Sequence, residues 1–297
     1  MSNSLPSTPL LMKNLPGLLL LLLLASIPVR AGAEVSIVAT IRPLQLIAEA
    51  IVQDLGSVTA VVSGQQSPHN FTLSPSDRRL LADADLLLWI GAEFETYLAD
   101  FYAQSSRAAI TLTALQLPQL TLHAAAPGQV DAHLWLDSGN AVIIAAAVTA
   151  RLVDLDATNA AAYQQNLAQF RRSADKLNTS IKGLFQRSTG NTYIVYHNAY
   201  QYFEKQFGLR HQFALLADPE TEPGIRATLN GRRQIKQNRP GCLLREATSS
   251  QAVIDNMLNG YELKTVTVDL LGEEVLRAGT YIELINNVAV DFSNCMN

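Results

Sequence analysis

The spacing of apolar residues along the chain changes several times, and each change marks an element. Val35 to Ala39, Val58 to Val62 and Leu86 to Ile90 are short aliphatic or β-branched runs, as expected of buried strands. Between them, Leu44 to Ile51 reads as part of a helix. Ser74-Pro75-Ser76-Asp77 looks like a helix start, with Ser74 as N-cap, Pro75 at the first helical position and an acid in the first turn. That helix is expected to end near Asp85. From Ala160 the apolar positions Ala160, Tyr163, Leu167, Phe170, Ala174, Leu177, Ile181 and Leu184 advance in alternating steps of three and four. This spacing predicts one amphipathic helix about 36 Å long at 1.5 Å per residue. A coiled-coil seam would use the same repeat, but it is short and both flanks look globular. The helix is therefore read as a strut joining two α/β domains. Beyond it Tyr193 to Tyr196, Cys242 to Arg245 and Lys264 to Val268 read as strands, with Ala199 to Phe207 and Ala252 to Leu258 as helices. Such alternation predicts βα units and largely parallel sheets.

The first 33 residues fit neither period. Lys13 precedes an apolar run from Leu15 to Val29, and Ala31-Gly32-Ala33 follows just before Glu34. This is the layout of an export signal cleaved after Ala33. The run is short for a bilayer span, which needs roughly twenty residues, and no Cys follows it to carry a lipid. Residues 1–33 hold two of the 22 basic side chains and none of the 26 acidic ones, so their removal takes the formal net charge from −4 to −6. That balance argues against a nucleic-acid binder, which needs a basic face. Export also places Cys242 and Cys295 where disulfides persist. A bond between them would close a loop of about fifty residues and stabilise by roughly 4 kcal/mol in the chain-entropy model. Two unpaired buried thiols are the alternative.

Five histidines are present: His69, His123, His133, His197 and His211. His197 follows the strand Tyr193 to Tyr196, His69 lies in the loop after Val58 to Val62, and Asp269 ends the strand Lys264 to Val268. In open α/β sheets ligands bind beyond the carboxyl ends of the strands, so these groups are expected at one cleft. His133 lies in Asp131-Ala132-His133-Leu134-Trp135-Leu136. Three imidazoles and a carboxylate suit a near-tetrahedral Zn²⁺. Ligands this far apart form no local motif, so spacing alone leaves each histidine open to an ordinary loop or core role.

The residues around them resemble a known family. Ser67-Pro68-His69-Asn70-Phe71-Thr72-Leu73-Ser74-Pro75-Ser76-Asp77, with Ala84-Asp85-Leu86 and Trp89-Ile90-Gly91, is similar to the first metal-binding segment of the metal-specific solute-binding receptors of bacterial ABC importers. Asp131 to Leu136 looks like their second motif, Asp156 to Asn159 with Tyr163, Asn166 and Phe170 like their strut, and Tyr196-His197-Asn198-Ala199-Tyr200-Gln201-Tyr202-Phe203 like their third. Val268-Asp269-Leu270-Leu271-Gly272 continues the match, which is nearest to the ZnuA-like zinc receptors.

The resemblance implies two Rossmann-like lobes with mainly parallel sheets, joined by one long rigid linker helix. Residues 34–155, 156–188 and 189–297 would be the N-terminal lobe, the linker and the C-terminal lobe. His69 and His133 would come from the first lobe, and His197 and Asp269 from the second. The implied role is that of a periplasmic high-affinity receptor, monomeric and not an enzyme. It would deliver Zn²⁺ to an inner-membrane ABC permease driven by a cytoplasmic ATPase. Manganese receptors of the family usually carry Glu at the third position, so His197 favours zinc. A manganese or iron receptor is the alternative within the family. Cys242 and Cys295 match paired positions in some zinc receptors.

Several residues depart from the family pattern. Pro68 stands where some zinc receptors carry an acid before the first His, so Asp269 or water must complete the shell. The stretch His123 to Gln129 is too poor in ligands for the multi-metal loop that many possess, and His123 is expected as a solvated loop residue. Asn198 replaces an acid after the third His, which leaves Asn198 or Glu246 to orient His197. His211 is expected at the surface or in a structural role. Among other classes, a secreted zinc hydrolase would need an open coordination position and a general base, and no H-E-x-x-H helix exists. An adhesion protein of the same fold is the third reading.

Overall fold

The computed structural model describes residues 1–2, 34–62, 66–69, 71–104, 109–186, 192–216, 222–272 and 279–297. The expected export signal and its cleavage site lie outside the described residues.

The first sheet is built around β1 (Val35–Ala39), nearly all of it buried, as for a parallel strand covered on both faces. α1 (Arg42–Val52) leads to β2 (Gly56–Ala60), α2 (Pro75–Asp83) to β3 (Leu86–Trp89), and α3 (Thr96–Gln104) to β4 (Thr111–Thr113). The strands are parallel in the order β2-β1-β3-β4. β2 starts two residues earlier than its apolar pattern suggests, because Gly56 to Ala60 pair in register with Val35 to Ala39. α2 has the predicted start: Ser74 Oγ accepts from Asp77 N, and the Asp77 carboxylate accepts from Ser74 N.

A short antiparallel hairpin, β5 (Ala124–Ala126) and β6 (Gln129–Val130), precedes α4 (Ser138–Leu155) and α5 (Ala160–Phe185). α5 is the long helix that the step pattern predicts, burying Tyr163, Phe170, Ala174, Leu177 and Ile181. The apolar pattern did not predict α4. It is apolar enough to cross a membrane by length and composition, yet it packs against α1 and α5.

The second sheet contains β7 (Tyr193–His197), β8 (Ala214–Leu216), β9 (Cys242–Glu246) and β10 (Lys264–Val268), again parallel, in the order β10-β9-β7-β8. Its helices are α6 (Gln201–Phe207), α7 (Ile225–Asn238), α8 (Gln251–Leu258) and the final α9 (Tyr281–Met296). α9 packs on β10, β9, α5 and α1. One buried cluster therefore runs from β1 and α1 through α4, α5 and α9 to β7 and β9. A smaller cluster, including Ile194, Tyr196, Leu243 and Met257, fills the other face of the second sheet. Cys242, which opens β9, is bonded to Cys295 in the last turn of α9, with their Cα atoms 5.5 Å apart.

Candidate metal centre

Three elements deliver one histidine each. His197 is the last residue of β7, where the strand runs out at the carboxyl edge of its sheet. His69 lies in the loop after β2, at the carboxyl edge of the other sheet. His133 sits between β6 and the short 3₁₀ turn Leu134–Leu136, where Asp137 caps α4 by accepting from Gly139 N and Asn140 N. The ring centroids are 5.6 Å apart for His69 and His133, 6.2 Å for His69 and His197, and 5.5 Å for His133 and His197. Each ring offers one nitrogen within 4.8 Å of the other two. Zinc bonds imidazole nitrogen at about 2.0–2.1 Å, so small side-chain adjustments bring all three onto one ion.

The second nitrogen of two of these rings has a carboxylate partner. Nδ1 of His133 lies 2.8 Å from Asp131 Oδ1, and Nδ1 of His197 lies 3.1 Å from Glu246 Oε2. A carboxylate at Nδ1 favours the tautomer with its proton there, which leaves the Nε2 lone pair for a metal. Burial alone would raise the Asp131 carboxyl, but the hydrogen bonds and charge of His133, with Gln201, outweigh it and hold it below the usual carboxylate range. Glu246 behaves alike: burial raises it, and His197, Tyr200 and Ser249 together bring it below its ordinary value. Both therefore remain anionic at neutral pH and strengthen imidazole donation.

The three histidines line a cavity of about 170 Å³ with Phe94, Trp135, Glu246 and Asp269. Phe94 meets His69 edge-on at 4.6 Å and His133 at 5.8 Å, while Trp135 lies 5.3 Å from His133. Apolar rings thus form part of the wall, and the cavity is smaller than the roughly 300–1,000 Å³ of a typical organic-ligand pocket. It suits an ion.

The remaining expected residues fall as follows. Asp269 lines the cavity, but its carboxylate is not in the cluster of three; Oδ1 accepts from Leu271 N at 3.1 Å and Gly272 N at 2.8 Å, closing the turn after β10. Glu246, at the end of β9, faces His197, whereas the buried amide oxygen of Asn198 has no hydrogen-bond partner among the described residues. His123 lies in the loop ahead of the β5–β6 hairpin, half-buried, with its ring 4.7 Å from that of Tyr202. His211 Nδ1 pairs with Glu204 at 2.9 Å, away from the three histidines.

Two carboxylates near the site were not singled out in the sequence. Asp131 belongs to a quoted motif, and its spacing of two from His133 was the available clue. Glu95 is fully buried and accepts from Ile90 N at 3.1 Å, Gly91 N at 2.9 Å and the Thr40 hydroxyl. Burial pushes it up to about 7 despite those bonds. It ties the carboxyl ends of β1 and β3 together, one residue along the chain from Phe94. Two acids, Glu93 and Glu95, follow the apolar run Leu86 to Ile90, and nothing in the sequence tells the buried one from the exposed one.

The model of the ZnuA family, described as "Zinc-uptake complex component A periplasmic", matches residues 37–295. The high-affinity zinc uptake system protein ZnuA of Yersinia pestis is 28% identical over 294 residues, covering 89% of this chain and 92% of that protein. Its namesake in Brucella suis biovar 1 is 26% identical over 312 residues, with 90% and 93% covered. The fold matches the periplasmic zinc-binding protein TroA of Treponema pallidum with a TM-score of 0.79 at 17% identity, covering 89% of this chain and 99% of that one. With the family model spanning residues 37–295 of the 297, the chain belongs to the ZnuA family of periplasmic zinc-uptake components.

Proposed function

We propose that the protein captures Zn²⁺ in the periplasm and hands it to an inner-membrane ABC permease powered by a cytoplasmic ATPase, acting as a monomer after loss of its leader at Ala33. One observation carries this reading: three histidines from three separate elements bring nitrogens within 4.8 Å of one another, two of them backed by carboxylates. His69, His133 and His197 supply three nitrogen donors, and Asp269 or water completes a tetrahedral shell. Three imidazoles favour zinc over manganese, which prefers oxygen donors. The lobes of this receptor are residues 34–155 and 189–297, with 156–188 linking them.

Hydrolysis is disfavoured by the same geometry. A hydrolase needs a carboxylate free to act as base on a metal-bound water, while Asp131 and Glu246 each face a histidine Nδ1.

Metal content of protein purified without added metal tests the reading. Zinc near one equivalent, lost together with His69, His133 or His197, is expected. Protein that takes up no zinc, or prefers manganese over zinc, overturns it.

A further inference from the structure

Helix α6 begins just after His197, yet its polar side chains reach the segment that carries His133. Gln201 Nε2 donates to Asp131 Oδ2 at 3.2 Å and to the Ala124 carbonyl at 3.1 Å. Tyr202 donates its hydroxyl to the Asp131 carbonyl at 2.7 Å and accepts from His123 N at 3.3 Å. The same segment is fastened further along, where Trp135 Nε1 donates to the Leu270 carbonyl at 3.0 Å and Tyr281 donates to the Trp135 carbonyl at 2.7 Å.

Asp131 is thereby held at three points. Oδ1 accepts from the backbone N of His133 at 3.0 Å and faces its Nδ1 at 2.8 Å, Oδ2 accepts from Gln201, and the backbone carbonyl accepts from Tyr202. A carboxylate fixed through one oxygen keeps a rotation about its side-chain bonds, and the ring it supports can follow. Fixing the second oxygen and the carbonyl removes that rotation, which sets the direction of the His133 imidazole. Gln201 is well suited to this: a neutral donor satisfies a buried carboxylate without adding a charge that competes with the metal.

We propose that Gln201 and Tyr202 are positioning residues of the metal site, orienting His133 through Asp131 from the helix that follows His197. The second and third ligands are then carried by one hydrogen-bonded unit although different sheets precede them in the chain. The proposal rests on the zinc-receptor reading.

Full-length mature protein carrying Gln201→Met, Tyr202→Phe, Asp131→Asn, or Asp131→Asn with Gln201→Met tests it. Each is titrated with zinc against a competing chelator, and the visible spectrum of the Co²⁺-loaded protein reports ligand geometry. Gln201→Met and Tyr202→Phe should each weaken zinc roughly three- to tenfold, as for loss of one hydrogen bond, and alter the cobalt bands. Asp131→Asn should cost about 10–100-fold, and Gln201→Met should add little in that background, because residues acting through one group are not additive. Wild-type affinity and spectrum in both single variants would overturn the proposal, as would full additivity with Asp131→Asn. Failure of the receptor reading shows separately, as wild-type protein without zinc affinity.

Discussion

The Glu246 carboxylate and the His197 imidazole face each other across 3.1 Å, and two hydroxyls hold the carboxylate in place. Ser249 Oγ donates to Oε2 at 3.0 Å, and the Tyr200 hydroxyl donates to Oε1. The imidazole direction is thus set by a group one strand away. Glu246→Gln keeps the shape and removes the charge, so zinc affinity should fall about 10–100-fold, as for the outer partner of a metal-bound histidine. Competition titration measures it, and unchanged affinity would remove Glu246 from this role.

His197→Ala should weaken zinc by more than the roughly 10–100-fold expected for an outer partner, because it deletes a donor. His123→Ala removes only a ring that lies tilted against Tyr202 and should leave affinity close to wild type. Equal losses in the same titration would contradict the ligand assignment.

The two tryptophans offer an optical test. Trp135 lies 5.3 Å from His133 in the cavity wall, whereas Trp89 donates to Thr113 in the first sheet. Zinc should change the intrinsic fluorescence through Trp135 alone, with the response lost in Trp135→Phe and kept in Trp89→Phe. The reverse pattern would place the metal elsewhere.

These tests also mark where the sequence was legible. β1 and β10 lie at the residues that their short β-branched runs predict, and α5 follows its step pattern, burying Tyr163, Phe170, Ala174, Leu177 and Ile181 along one face. α4 was invisible for the opposite reason: Ser138 to Leu155 is apolar almost throughout, so no stripe stands out. His69 and His197 were readable because strand ends concentrate ligands. The contact of Asp131 with Gln201 joins residues seventy positions apart and exists only once the two sheets are assembled. Asp269 was readable as a strand-end residue and lines the cavity, but the hydrogen bonds of its Oδ1 with the Leu271 and Gly272 amides could not be read from the chain.

Glu95 gives the metal-free protein a pH signature. Its folded value of about 7 stands above the ordinary 4.5, so the folded state binds more protons than the unfolded chain between those limits. Stability should therefore fall as pH rises through this window, by about 3 kcal/mol in all. Asp131 and Glu246, both lowered, act in the opposite sense, contributing stability that is lost only as pH falls below the ordinary carboxylate range. Urea unfolding at pH 5 and pH 8 should show a smaller difference in Glu95→Gln than in wild type; equal differences would refute the assignment.

The bond between Cys242 and Cys295, 53 residues apart, predicts that reduction costs about 4 kcal/mol. The Cys242→Ser/Cys295→Ser double variant should match the reduced protein in denaturant midpoint. Alkylation of the unreduced chain should label no thiol, and two labelled thiols would disprove the bond.

α9 packs on α1 and α5, donates from Tyr281 to the carbonyl of Trp135, and holds β9 through Cys295. All three histidines precede this closing helix in the chain, so the donors are made before the brace that holds their frame. A chain cut short ahead of Tyr281 keeps every one of the donors and loses the packing, the hydrogen bond to Trp135 and the disulfide that tie their two sheets to this helix.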